Sequence, residues 1–270
     1  AIRVPSMFSQ PVVASIDTQW VRLAEGVDVH VAAPEGRAVL GGVVVAGEIF
    51  GITAHVRDIC ERLARVGYLV AAPDFYWRRQ RGTCPPYGAT GRKAGVRMLR
   101  LLQRGEAVSD VAAVRAHLTT RLGASKAMAM AMVGVSAGGH IAFLAATRLR
   151  FAVSVSTYGG WIVDGGIPLA EPTPPVADCA ALAANECFFL GIAAGGRDRL
   201  ITAEQWRRLD VLLDAAGVGH ELVRYAGARH EFLCAERSVT CGAEASADVW
   251  RRLLGALAAH MAHAKRPADG

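Results

Sequence analysis

A chain of 270 residues that is 52% hydrophobic and 20% charged has enough apolar material to fill the core of one large domain, which excludes a disordered chain. Its net charge of +6 is spread along the sequence with no basic run and no interleaved aromatics, which argues against a nucleic-acid partner. No apolar run reaches membrane-spanning length, no charged-then-apolar leader opens the chain, and Cys60, Cys84, Cys179, Cys187, Cys234 and Cys241 lack C-x-x-C or zinc spacing. The expectation is therefore a cytoplasmic protein with buried free thiols and neither metal nor cofactor.

Residues Ala1–Gln19 have no clear period, and residues 1–26 read as an N-terminal extension to a single domain over 27–263, with 264–270 a tail. Val27–Val31 alternates apolar and polar, as an edge strand does. Val39–Ala46 is a continuous apolar run, the pattern of a strand covered on both faces, and it ends in Gly47-Glu48-Ile49-Phe50-Gly51. A helix over Thr53–Val66 follows, capped by Thr53 and stopped by Gly67. Tyr68–Ala72 is a second buried strand, and Phe75–Gly91, with Pro85-Pro86 and several glycines, reads as a surface loop. Ser109–Leu122 is an amphipathic helix, capped by Ser109 or Asp110 and ended by Gly123. Ala127–Val135 is a strand, Ala137–Arg148 a helix and Phe151–Thr157 a strand. Gly159–Ala177, rich in Gly and Pro, is a long loop of the kind that often carries function. Cys187–Ala193 is a strand, Thr202–Ala216 a helix, Glu221–Tyr225 a strand and Glu244–His263 a closing helix. This alternation predicts an α/β domain: a mostly parallel central sheet with helices on both faces and ligands at the carboxyl ends of the strands.

Between one such strand and its helix stands Gly134-Val135-Ser136-Ala137-Gly138, a G-x-S-x-G pattern. A serine on so sharp a turn is pushed clear of the backbone, and the helix behind it aims free N–H groups and a positive dipole end at charge forming beside it. Near neutral pH an alcohol needs a base, and the base needs an acid partner to fix its tautomer. In the α/β-hydrolase fold these follow in the order Ser, Asp or Glu, His. Asp198 follows the strand Cys187–Ala193 and His230 follows Glu221–Tyr225, so Ser136, Asp198 and His230 are the expected triad. The oxyanion donors are expected to be the backbone N–H of Ala137 and, from the turn after an earlier strand, that of Ile49.

Several further segments carry a resemblance. They are Ala46-Gly47-Glu48-Ile49-Phe50-Gly51, Arg57-Asp58, Leu63-Ala64-Arg65-Val66-Gly67-Tyr68, Ala72-Pro73-Asp74-Phe75-Tyr76, Tyr158-Gly159-Gly160, Gly196-Arg197-Asp198 and Gly227-Ala228-Arg229-His230-Glu231-Phe232. Together they resemble the dienelactone hydrolase family, from about Val27 to the C-terminal helix, and the E-x-F-G element is the specific part. The resemblance implies a compact, lidless, cofactor-free hydrolase of cyclic or small esters, monomeric or homodimeric. Two positions depart from the family. Its best-known members have a cysteine nucleophile whose proton is managed by the glutamate matching Glu48; with Ser136 in place, Glu48 is left to orient substrate or water, or to hold the oxyanion turn. Dienelactone-cleaving members also place a carboxylate-gripping arginine one helical turn past the histidine, where this chain has Cys234. Arg229 and Arg237 do not match that position, and Arg92, Arg97 or Arg100 is another possible source of such a cation.

Phe50, Tyr76, Trp77, Tyr158 and Trp161 are expected to line a pocket for an apolar or aromatic acyl group. The leading reading is a serine hydrolase that cleaves a small ester or lactone through an acyl-enzyme. The competing readings are an acyl-transfer or lactone ring-opening or ring-closing step of secondary metabolism, and a non-catalytic binding protein on a hydrolase scaffold.

Overall fold

The computed structural model describes residues 15–126, 128–195, 198, 200–234 and 243–262. Gly196, Arg197, Arg237, Cys241 and the 264–270 tail lie outside the described residues. Eight strands form one sheet: β1 (Ile16–Arg22), β2 (Asp28–Pro34), β3 (Gly42–Ala46), β4 (Leu69–Pro73), β5 (Met130–Val135), β6 (Val153–Thr157), β7 (Phe188–Ala194) and β8 (His220–Tyr225). Their spatial order is β1-β2-β4-β3-β5-β6-β7-β8. β2 pairs antiparallel with β1 and β4, and all other pairings are parallel. This is the mostly parallel α/β sheet that the alternation of elements predicts, and its strand order is that of the α/β-hydrolase fold.

The helices are α1 (Ala54–Val66), α2 (Ala89–Leu101), α3 (Arg104–Leu122), α4 (Ala137–Ala146), the short α5 (Ala180–Ala184), α6 (Ala203–Ala215) and α7 (Ala243–Met261). Strand pleating divides the core between the two faces. Val43 and Val45, with Ala131, Val133 and Val135, pack with α1 residues Val56, Ile59 and Leu63 and α7 residues Leu253 and Leu257. Val44 and Ala46, with Met130 and Met132, pack under α3 residues Val111, Val114 and Leu118 and α4 residues Ile141 and Phe143.

Three expectations are corrected. Ile16–Arg22 is not part of an extension; it is edge strand β1, hydrogen-bonded to β2, so Val27–Val31 belongs to an inner strand. Helix α3 begins five residues before Ser109, with a capping box between Gln103 and Glu106; Asp110 lies inside it, buried, and caps nothing. The stretch after Gly88 is helix α2, whose glycines pack closely: a Cβ on Gly95 would stand 2.6 Å from the Ile49 carbonyl oxygen, and one on Gly91 would stand 1.7 Å from that of Pro86. Thr53 caps α1 through its side chain, and Gly67 ends that helix with φ 124°, as expected.

Among the described residues no helix is long and apolar enough to cross a membrane, and no group of three His, Cys, Asp or Glu side chains could hold a metal. Cys60, Cys84, Cys179, Cys187 and Cys234 are free thiols, all buried except Cys84.

Candidate active site

Register brings the strand ends together. Ala46 pairs with Gly134, Val135 with Thr157, Thr157 with Ile192 and Ala194 with Tyr225. The turns after β3, β5, β7 and β8 therefore open along one rim, where an α/β sheet offers its ligand site.

Ser136 sits on that rim with φ 55° and ψ −120°, a region non-glycine residues rarely occupy. Its N–H donates to Thr157 O at 2.9 Å, which holds the turn to β6. The flanking glycines are required by space: a Cβ on Gly134 would lie 1.9 Å from Gly138 O, and one on Gly138 would lie 2.0 Å from Ala46 O. The first turn of α4 thus lies flush against the end of β3, and Ala137, as the first residue of α4, has an N–H with no intrahelical acceptor.

Three side chains from distant turns converge on this point. Ser136 Oγ is 3.0 Å from His230 Nε2, and His230 Nδ1 is 2.9 Å from Asp198 Oδ2. The other carboxylate oxygen, Oδ1, accepts from the Leu200 N–H at 2.9 Å. Burial pushes the Asp198 carboxyl up, but the hydrogen bond and charge of His230 and the N–H groups of Leu200 and Ile201 outweigh it and hold the group below the ordinary carboxylate range. An ionised Asp198 fixes the imidazole proton on Nδ1 and leaves Nε2 to accept from the Ser136 hydroxyl. The two supporting turns are joined: Gly195 N–H donates to Ala228 O at 3.2 Å, and Asp198 N–H donates to Gly195 O at 2.9 Å. Behind the imidazole, the Tyr158 ring lies 5.1 Å away and Phe232 packs 5.7 Å beyond it.

The site opens into a cleft of about 780 Å³ that contains Ser136, His230, Asp198, Glu48, Ile49 and Phe50. Glu48 is buried, and the turn it belongs to is braced by the Tyr76 hydroxyl, which donates to Ile49 O at 3.3 Å. Of the five expected pocket aromatics, Phe50 and Trp161 line this cleft. Tyr76 and Tyr158 are buried behind it, one under the Ile49 turn and the other against His230. Trp77 is turned away: its Nε1–H donates to the buried Asp110 of α3 at 3.2 Å, and Arg78 donates to the same carboxylate at 2.8 Å. Sequence reasoning did not name Lys93, Val96, Ile167, Leu200 and Glu231 as cleft residues. It considered Arg92, Arg97 and Arg100 as cations, and Arg92 and Arg100 line the cleft. The signal for the α2 residues is the four-residue step from Arg92 to Val96 to Arg100, which starts directly after the stretch expected as a loop, Phe75–Gly91.

At the position one turn past His230, Cys234 is buried with its thiol 3.5 Å from the Tyr87 hydroxyl, and the Tyr87 ring meets Phe50 edge-on at 4.9 Å. Apolar and aromatic groups therefore fill the position where an arginine would stand near the serine.

Comparison with known proteins bears on the family and the fold. Residues 27–261 match the Dienelactone hydrolase family. A Synechocystis sp. protein that carries the name carboxymethylenebutenolidase provisionally is 31% identical over 211 residues, covering 78% of this chain and 82% of its own. A Yersinia pestis protein with the same provisional name is 33% identical over 213 residues, covering 78% and 75%. A crystal structure from Klebsiella pneumoniae, provisionally described as a dienelactone hydrolase, superposes with a TM-score of 0.78 at 26% identity over 90% of this chain and 99% of that one. With this strand order, these matched residues and relatives of that identity, the chain belongs to the dienelactone hydrolase family of the α/β-hydrolase superfamily.

Proposed function

We propose that the protein is a serine hydrolase that opens an ester or lactone through an acyl-enzyme. The observation that carries this reading is the unbroken relay from Ser136 Oγ to His230 Nε2 at 3.0 Å and from His230 Nδ1 to Asp198 at 2.9 Å, on the floor of a cleft. Ser136 Oγ attacks the carbonyl carbon, and its proton passes to His230 Nε2. The carbonyl oxygen becomes an oxyanion between the N–H groups of Ala137 and Ile49. Collapse of this intermediate breaks the ester C–O bond, and the departing alkoxide takes the proton from His230; in a lactone that alkoxide stays tethered to the acyl chain. Water then attacks the acyl carbon and gives its proton to His230, and Ser136 leaves with that proton. Glu48, buried beside Ile49 and facing the cleft, orients the attacking water.

A fluorophosphonate probe tests the reading. It labels Ser136 in the native protein and leaves Ser136→Ala unlabelled, while p-nitrophenyl butyrate is turned over by the first and not by the second. A folded native protein that takes no label and cleaves no activated ester refutes it.

A further inference from the structure

The loop after β6 supplies Trp161, Gly166 and Ile167 to the cleft. Its start lies on the backbone of α4, the helix behind the serine. A Cβ on Gly139 would stand 2.8 Å from Gly159 Cα, and one on Gly159 would stand 2.9 Å from the His140 nitrogen. Every residue of α4 is buried, and His140 is its only polar side chain. A carbonyl can only accept, so His140 Nδ1 carries the proton and donates to Gly160 O at 3.2 Å. The carbonyls of Leu169 and Trp161, from the same loop, also act on the ring. Two other helices hold the loop further along. Asp164 accepts from Gln205 Nε2 at 2.7 Å and from Arg208 at 2.9 Å, both on α6, and Arg104 of α3 donates to Leu169 O at 2.9 Å.

The bond at Gly160 matters because of the residue that follows it. Trp161 has φ 60°, a left-handed conformation that is unfavourable for any residue with a Cβ. The ψ of Gly160 and the φ of Trp161 flank a single peptide plane. Rotating that plane would relax Trp161 and turn the Gly160 carbonyl away from α4, and Gly160, without a Cβ, would permit it. His140 opposes the rotation by gripping the carbonyl. We infer that His140 is a positioning residue: through Gly160 O it keeps Trp161 left-handed, with its indole in the cleft wall, and so sets how tightly an ester is held. The inference rests on the hydrolase reading for what the cleft binds.

The test uses p-nitrophenyl phenylacetate, which has an aromatic ring on each side of the scissile bond and so meets the Trp161 wall from either side. His140→Leu, close in size but without a donor, is expected to raise KM about tenfold, the scale of a lost aromatic contact, with kcat within about threefold of native because the relay is untouched. His140→Asn keeps an N–H donor and is expected to hold KM within about twofold of native. In Trp161→Ala, KM is raised already and His140→Leu adds nothing, as residues acting through one another require. An unchanged KM in His140→Leu or in Trp161→Ala overturns the inference. So does an equal rise in the Leu and Asn variants, a rise that persists in the Trp161→Ala background, or a loss confined to kcat. Melting gives an arm that leaves His140 in place and serves where His140→Leu does not fold. With the carbonyl gripped, residue 161 stays left-handed, so Trp161→Gly is expected to melt about 2–8 °C above Trp161→Ala; equal melting overturns the inference. If the native protein cleaves no ester, the hydrolase reading fails. The positioning role is then decided by this pair alone: a gap that closes in the His140→Leu background supports it, and a gap that stays overturns it.

Discussion

Replacing Asp198 with Asn is the sharpest probe of the proposed relay, because the two carboxylate oxygens are committed to different donors. Oδ2 accepts from His230 Nδ1 at 2.9 Å, and Oδ1 accepts from the Leu200 N–H at 2.9 Å. An amide has one acceptor oxygen and one NH2, so it cannot serve both. If its nitrogen faces Leu200, two donors oppose each other in a buried site, at about 1–3 kcal/mol. If it faces His230, the imidazole must offer its Nδ1 lone pair and carry the proton on Nε2, pointing at Ser136. The backbone donor cannot move, so the second arrangement prevails and the base is in the wrong tautomer. The corresponding exchange in serine proteases lowers kcat by about 10⁴, or about 5.5 kcal/mol of barrier at 1.36 kcal/mol per decade. The expected result here is a loss of 10³–10⁴ in kcat for p-nitrophenyl butyrate, with KM little changed and fluorophosphonate labelling slowed in parallel. The substitution also removes an acid-sensitive contribution to stability. Asp198 has a lowered folded-state pKa, so its stabilisation is present above the unfolded carboxylate value and is lost as pH falls through the folded one. A folded Asp198→Asn protein within tenfold of native kcat refutes the reasoning.

Gly138→Ala puts a methyl 2.0 Å from the Ala46 carbonyl oxygen; backbone cannot yield cheaply, so a cost of at least about 3 kcal/mol is expected, read as a Tm lower by about 6–12 °C. Tyr76→Phe removes the brace on Ile49 O, and kcat is expected to fall about threefold to tenfold, for a bond worth about 0.5–1.5 kcal/mol, with Tm nearly constant. His140, wholly buried on α4 with Nδ1 3.2 Å from Gly160 O, is held by burial down to about 4. Its lowered folded-state value means that stability is complete above pH 6.5 and drains away as pH drops from there toward 4. The loss is about 3 kcal/mol, and urea midpoints of His140→Gln should show a flatter acid limb between those values.

What could be read from the chain alone divides along physical lines. Buried strands and capped helices declare themselves locally, as Val43–Val45 and Thr53 with Gly67 do. The order and strand-end positions of Ser136, Asp198 and His230 are equally visible, whereas the 2.9–3.0 Å distances between them exist only in three dimensions. Strand β1 escapes notice because an exposed edge has no apolar face, and only pairing with β2 defines it. The start of helix α2 is blurred by Gly88 and Gly91 beside Pro85-Pro86, while Gly91 and Gly95 let the helix seat on Pro86 and Ile49. Trp77 looks like a pocket aromatic until Asp110, the seventh residue of a longer helix than expected, appears as its acceptor.

The bond from Gly195 N–H to Ala228 O has a mechanical consequence. It clips the loop bearing the acid to the loop bearing the base, so the two side chains share one footing. Any redesign that relocates the carboxylate to another strand must also rebuild the histidine's footing. Small-molecule wedges at this clip would disarm the relay without entering the cleft.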